Sequence, residues 1–165
     1  MTGELHVVTG AAGVGKSTYG RSLASKLNAA LLDSDTLSEA VVRAGMKAAG
    51  LEPTDRDSPE YKTIFRDAVY ECLFETAAEN LAHTNVVLVG PFTRELQDSQ
   101  WPQRLLDRLG VEPTVWFLTC SDETRRERIA ARGNPRDQGK LHAWDEYLAS
   151  GSPGSPAFQV NRIET

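Results

Sequence analysis

Nine consecutive residues, Gly10-Ala11-Ala12-Gly13-Val14-Gly15-Lys16-Ser17-Thr18, combine the types that binding a triphosphate requires. They match G-x-x-x-x-G-K-[ST], a pattern that places a glycine-rich loop between a strand and a helix. Glycines at 10, 13 and 15 let the backbone wrap around phosphates without Cβ clashes, so several N–H groups can point inward. The following helix adds the positive end of its dipole. Lys16 supplies a mobile cation for the β- and γ-phosphates, and Ser17 a hydroxyl ligand for Mg²⁺. The expected nucleotide-binding residues are therefore Gly10, Gly13, Val14, Gly15, Lys16, Ser17 and Thr18, with Lys16 also catalytic. No guanine-reading N-K-x-D occurs, so the expected nucleotide is ATP.

A second group follows at Asp33-Ser34-Asp35. In an extended segment alternate residues share a side, so both carboxylates are expected to face one cleft. One can hold Mg²⁺ through water while the other accepts a hydroxyl proton. We assign Asp33 to the metal with Ser17, and Asp35 to the acceptor as a catalytic residue. The competing reading is an Asp-rich turn that caps the next helix.

A third group is basic. Arg125, Arg126, Arg128, Arg132, Arg136 and Lys140 are six of the 18 Lys and Arg residues, in a chain of net charge −5. Arg128 and Arg132 are four apart and share a helix face. Gly133 should end that helix, and Asn134-Pro135 should form a hinge-like loop that carries Arg136. A lid of this kind can cover a nucleotide and neutralise charge on the transferring phosphoryl group. Arg128 is expected to bind nucleotide, and Arg132 and Arg136 to be catalytic. The bland alternative is a solvated face paired with Asp122, Glu127 and Asp137.

These groups need a scaffold, and the rest of the chain supplies one. At 165 residues, 40% hydrophobic and 25% charged, the chain fits one globular domain over residues 1–165 and excludes disordered or collagen-like classes. Short apolar runs alternate with amphipathic segments, the mark of an α/β fold with a parallel sheet. Strands are expected at 5–9, 30–32, 86–89 and 114–118, with a fifth at 158–160. Helices are expected at 17–27, 36–49, 102–109, 122–132 and 137–148, and from Ser58, as N-cap with Pro59 behind it, to about Ala77. In that last helix Tyr61, Ile64, Phe65, Ala68, Val69, Cys72, Leu73 and Ala77 form the expected apolar stripe. Trp144 and Tyr147 read as core residues, and His6, His83 and His142 as structural or exposed. Cys72 and Cys120 form no CxxC or metal-spaced cluster. With no leader-like N-terminus or long apolar run, the expected location is the cytoplasm.

The phosphate loop, the Asp pair and the arginine run together resemble the small P-loop kinases of the shikimate, gluconate and polynucleotide 5′-kinase group. Gly10 to Glu39 looks most like shikimate kinase, and Arg128-Ile129-Ala130-Ala131-Arg132-Gly133 like the lid helix of polynucleotide kinase. Bacterial AAA-family ATPase kinases with a strand followed by Pro-Phe-Thr-Arg look closest as a whole. The resemblance implies a three-layer P-loop NTPase fold, with a parallel five-stranded sheet of nucleoside-monophosphate-kinase-like topology. It also implies an acceptor flap at about 37–75 and an arginine lid at about 125–140.

The chain departs from the pattern in places. Gly90-Pro91-Phe92-Thr93-Arg94 stands where shikimate kinases carry a Gly-Gly-Gly loop, and Lys62 stands near an expected arginine, with Arg66 one turn later. Asp35, Arg66, Phe92, Thr93 and Arg94 are the expected acceptor lining. Arg94 is equally able to pair with Glu95 or Asp98. The function implied is ATP- and Mg²⁺-dependent phosphoryl transfer to a hydroxyl of a small molecule such as a metabolite, nucleoside or antibiotic. Polynucleotide 5′-hydroxyl kinase is the rival within enzymes, disfavoured by the acidic balance. A nucleotide-binding ATPase regulator is the rival outside that class, disfavoured because Val86-Val87-Leu88-Val89 ends without a carboxylate. No membrane partner is expected.

Overall fold

A computed structural model describes residues 3–151 and 154–165. Five parallel strands, β1 (Leu5–Gly10), β2 (Ala30–Asp33), β3 (Val86–Val89), β4 (Pro113–Thr119) and β5 (Asn161–Glu164), form one sheet in the order β2-β3-β1-β4-β5. Helices cover both faces, which is why the inner strands read as unbroken apolar runs. On one face Leu5, Val7, Val86, Leu88, Val115 and Phe117 join a core with the C-terminal half of α4 (Asp67–Leu81) and with α5 (Trp101–Leu109). On the other, Val8, Val87, Val89 and Leu118 pack with Ala24 of α1 (Lys16–Leu27). Neighbours along each strand thus go to opposite layers, the two-residue period of a pleated sheet.

The remaining helices are α2 (Ser34–Ala48), the short α3 (Pro59–Tyr61), α6 (Asp122–Arg132), α7 (Gln138–His142) and α8 (Trp144–Gly151). Ser58 caps α3 by accepting from the Tyr61 N–H at 3.1 Å, as Ser-Pro predicts. Gly110 and Gly133 end α5 and α6 with left-handed backbone. No helix of the described residues is long and apolar enough to cross a membrane.

Four expectations are corrected. The fifth strand lies at 161–164 rather than 158–160; its burial is exposed-exposed-partial-exposed, so a sheet-edge strand with one apolar residue, Ile163, left no pattern to read. Phe158 and Val160 instead pack on the core. The expected helix over 137–148 is a 3₁₀ turn at Pro135–Asp137, then α7 and α8, broken where Ala143 leaves helical backbone (φ −116°, ψ 51°). The stripe on the long helix is shifted because a π-helical turn at Lys62–Arg66 rotates the residues C-terminal to it. Tyr70, Leu73, Phe74, Ala77 and Leu81 are buried, whereas Ile64 is 51% exposed and Cys72 faces solvent. Finally, Asp33 ends a strand while Ser34 and Asp35 begin a helix, so the Asp pair is not an extended alternation.

Candidate active site

The phosphate loop leaves the end of the central strand β1 and enters α1. Gly10 (φ 141°) and Gly13 (φ 85°) hold backbone that L side chains rarely adopt. A Cβ on Gly10 would stand 2.5 Å from the Leu118 carbonyl oxygen, and one on Gly13 2.7 Å from that of Arg125. The motif glycines are therefore also dictated by packing against β4 and α6. Lys16 bends back so that its Nζ donates to the Ala11 carbonyl at 2.8 Å. Burial lowers its pKa to about 8, a pull that the charges of Asp35 and Asp33 oppose. Val14 is buried in the core and contributes backbone to the loop, and Thr18 sits exposed on α1.

Asp33 serves two roles that the sequence had set against each other. One oxygen caps α2 by accepting from the Asp35 N–H at 3.0 Å; the other accepts the Ser17 hydroxyl at 2.6 Å. A hydroxyl and a carboxylate at the mouth of a phosphate loop fit Mg²⁺, which takes one or two protein oxygens and fills its octahedron with phosphates and water. Asp35 projects from the first turn of α2 into the same cleft as Lys16. The cleft walls by themselves would raise the pKa of the Asp35 carboxyl, whose side chain is 59% exposed, but the Arg136 guanidinium, with help from Lys16, overrides this and holds it below its usual range.

The basic run divides. Arg136 lines the cleft, pairs with Asp35, and reaches Glu39 at 3.4 Å. Arg132 lines it too, with Nε donating to the buried Asp137 carboxylate at 2.6 Å. Arg128 lies outside the cleft lining, behind Gly15, and donates to the Thr165 hydroxyl at 2.8 Å. Arg125 was not expected in the site. It is 4% exposed, donates from Nε to the Ala12 carbonyl at 3.0 Å, and lies under the Trp144 and Tyr147 rings. It thereby braces the phosphate loop, and of the two rings it touches, Trp144 is buried and Tyr147 lines the cleft.

The cleft, about 850 Å³, opens at the carboxyl ends of β1, β2 and β3, where ligands bind in open parallel sheets. Thr93, Arg94 and Arg66 line its far wall. Phe92 does not. It is fully buried, ringed by Tyr70, Phe74 and Trp101 at centroid distances of 5.0, 6.2 and 5.2 Å. Its φ of 42° turns the chain after β3, and its N–H donates to the Tyr70 hydroxyl at 3.2 Å. It shapes the loop from inside.

Arg94 pairs with neither expected partner but with Asp67 at 2.6 Å. Glu95 instead holds Arg66, through both oxygens at 2.9 and 2.7 Å. Lys140, the last cation of the basic run, also reaches this region, and Glu39 and Arg56 belong to it without having been singled out in the sequence. Glu39 alone had a signal, lying one turn from Asp35 on the same helix face.

The family model described as an AAA domain matches residues 5–153 of the chain. A shikimate kinase from Corynebacterium glutamicum is 38% identical over 98 residues, 58% of this chain and 55% of that protein. The match thus spans about half the length of that curated relative. Among solved structures, a Chloroflexus aurantiacus protein described as a kinase superposes with a TM-score of 0.72 at 23% identity, covering 100% of this chain and 89% of that one. The APS kinase of Mycobacterium tuberculosis, solved with AMPPNP and APS, gives 0.60 at 17% identity, covering 99% and 88%. At these identities the superpositions establish the shared fold.

Proposed function

The chain belongs to the AAA-domain family of P-loop kinases, and from that premise we propose that it moves the γ-phosphoryl group of ATP to a hydroxyl of a small molecule in the cytoplasm. The carrying observation is that Lys16 and Asp35 line one cleft at the ends of parallel strands, close enough for each to shift the other's ionisation. In this reading residues 1–165 form a single kinase domain, with a flap at about 37–75 over the acceptor and an arginine lid at about 125–140.

The loop N–H groups and Lys16 hold the β- and γ-phosphates. Ser17 and Asp33 would hold Mg²⁺, which when bound would neutralise charge on those phosphates. Asp35 accepts the acceptor's hydroxyl hydrogen and aims the oxygen at the γ-phosphorus. Orientation matters here more than base strength, because phosphoryl transfer needs little covalent help. Its lowered pKa keeps Asp35 ionised for that role. Arg132 and Arg136 line the same cleft, Arg136 paired with Asp35, and both are ready to meet charge on the transferring group. They exclude water when the lid closes.

The test is a panel of hydroxyl compounds scored for ADP release with Mg²⁺-ATP. One or more members should raise release well above the rate with ATP alone. A rate unmoved by every compound, yet stimulated by a protein partner, would instead make the chain a regulator.

A further inference from the structure

The far half of the cleft is rich in cations, and almost all of them are already matched. Arg66 is held by Glu95 through both oxygens and touches Asp67 at 3.0 Å, and Asp67 in turn holds Arg94. Arg136 sits between Asp35 and Glu39, and Glu39 also holds Arg56 at 3.2 Å. Lys140 bridges Asp57 at 2.9 Å and Asp137 at 3.7 Å, and Asp137 also holds Arg132. Each group contains two cations and two carboxylates, so each sums to zero. Among the described residues, the cleft cations without an ion-pair partner are Lys16, in the phosphate loop, and Lys62, which is exposed.

From this balance we propose that the acceptor is an uncharged, hydroxyl-rich molecule, and that Glu95 sets this preference by occupying Arg66. The proposal rests on the phosphotransferase reading above and narrows its substrate class. The unpaired Lys62 is exposed, where water and salt screen its charge. A carboxylate or phosphate seeking Arg66 would have to displace Glu95, with Arg66 and Glu95 side chains only 15% and 16% exposed. It would leave that glutamate half-buried without its partner, which is costly. A cationic acceptor would meet the same obstacle with the sign reversed. An uncharged polyol needs only the hydroxyl and amide groups that the wall offers beside the ion pairs, at Thr63, Thr93 and Gln97. Those side chains give and accept hydrogen bonds without disturbing the charge count.

Matched pairs test this: a hexose with its uronic acid, a polyol with its aldonic acid, and a nucleoside with its 5′-monophosphate, each assayed for ADP release. The wild type should favour the neutral member of a pair by about tenfold or more in kcat/KM. Glu95→Gln keeps the size, frees Arg66, and should improve the acid about tenfold, mainly through KM. Asp67→Asn frees Arg94 from an exposed position and repeats the test if Glu95→Gln fails to fold. A second arm needs no turnover: tartrate titrated calorimetrically into protein saturated with Mg²⁺ and a non-hydrolysable ATP analogue. Wild type should give no heat at millimolar tartrate, and Glu95→Gln should bind it. An acid preferred by the wild type, tight tartrate binding by the wild type, or no gain in both variants overturns the proposal. Silence across the whole turnover panel, with the tartrate result as expected, would fault the phosphotransferase reading and leave the charge balance standing.

Discussion

The two halves of the cleft are built by different means. The phosphate half is chiefly local: Gly10 to Ser17 are consecutive and their backbone does the cradling, while Asp33, sixteen residues on, holds Ser17, and Arg125 and Thr165 brace the Ala12 and Val14 carbonyls from outside. The acceptor half is assembled from afar. Arg136 meets Asp35 across 101 positions, Arg66 meets Glu95 across 29, and Arg56 meets Glu39 across 17. A contiguous motif can be transplanted whole, whereas a set of cross-chain ion pairs can be retuned one residue at a time. The difference suits a fold that keeps its phosphate chemistry fixed and varies what it phosphorylates.

Substitutions can break this division. Asp35→Asn keeps the size and removes the charge on the acceptor side. Turnover should fall about 10²–10⁴-fold while affinity for an ATP analogue stays near normal. Loss of nucleotide binding with it would move Asp35 into the phosphate half. Lys16→Ala strikes the other half, and kcat/KM should drop about 10²–10³-fold with the far-ultraviolet circular dichroism unchanged. Wild-type turnover in that variant would remove the phosphate-loop assignment.

Phe92→Ala tests the wall between them. The ring is fully buried among three aromatics, so denaturant unfolding should show a loss of about 3–5 kcal/mol. A loss below about 1 kcal/mol, joined to a changed acceptor KM, would restore Phe92 to the cleft.

The smallest effect sharpens the comparison by pH. With its pKa lowered by burial to about 8, Lys16 loses its proton as pH rises through that value, whereas in the unfolded chain it keeps it to about 10.5. Affinity for an ATP analogue should therefore decline above pH 8, by at most about tenfold per unit. The sign for stability is opposite. The unfolded chain binds more protons over that interval, so this group adds stability as pH rises, and the decline is not unfolding. Lys16→Arg should flatten the profile, and a decline that persists in it would assign the titration elsewhere.

The same division explains what could be read in advance. The phosphate loop, Asp33 and the order of strands and helices were legible, because glycine spacing and hydrophobic period act over a few residues. That Asp33 both caps α2 and holds Ser17 was half legible, since either role alone suffices to place an Asp there. Arg66 and Arg94 were legible as cleft residues, but not that Glu95 and Asp67 neutralise them, because pairing across 29 and 27 positions leaves no periodicity. Phe92 was misplaced because a residue after a strand end normally faces the ligand. Here a left-handed backbone at that position turns the ring inward. Arg125 looked like one more member of the arginine run read as a lid, and only the fold puts it against the Ala12 carbonyl.

The fate of the γ-phosphate tests the central claim most directly. Protein, Mg²⁺ and γ-labelled ATP are incubated with the neutral hydroxyl compounds, and the label is traced by chromatography. The account predicts label in an organic phosphate ester, formed by the wild type and reduced about 10²-fold or more by Asp35→Asn. Label recovered only as inorganic phosphate, at a rate that no hydroxyl compound changes, would contradict it.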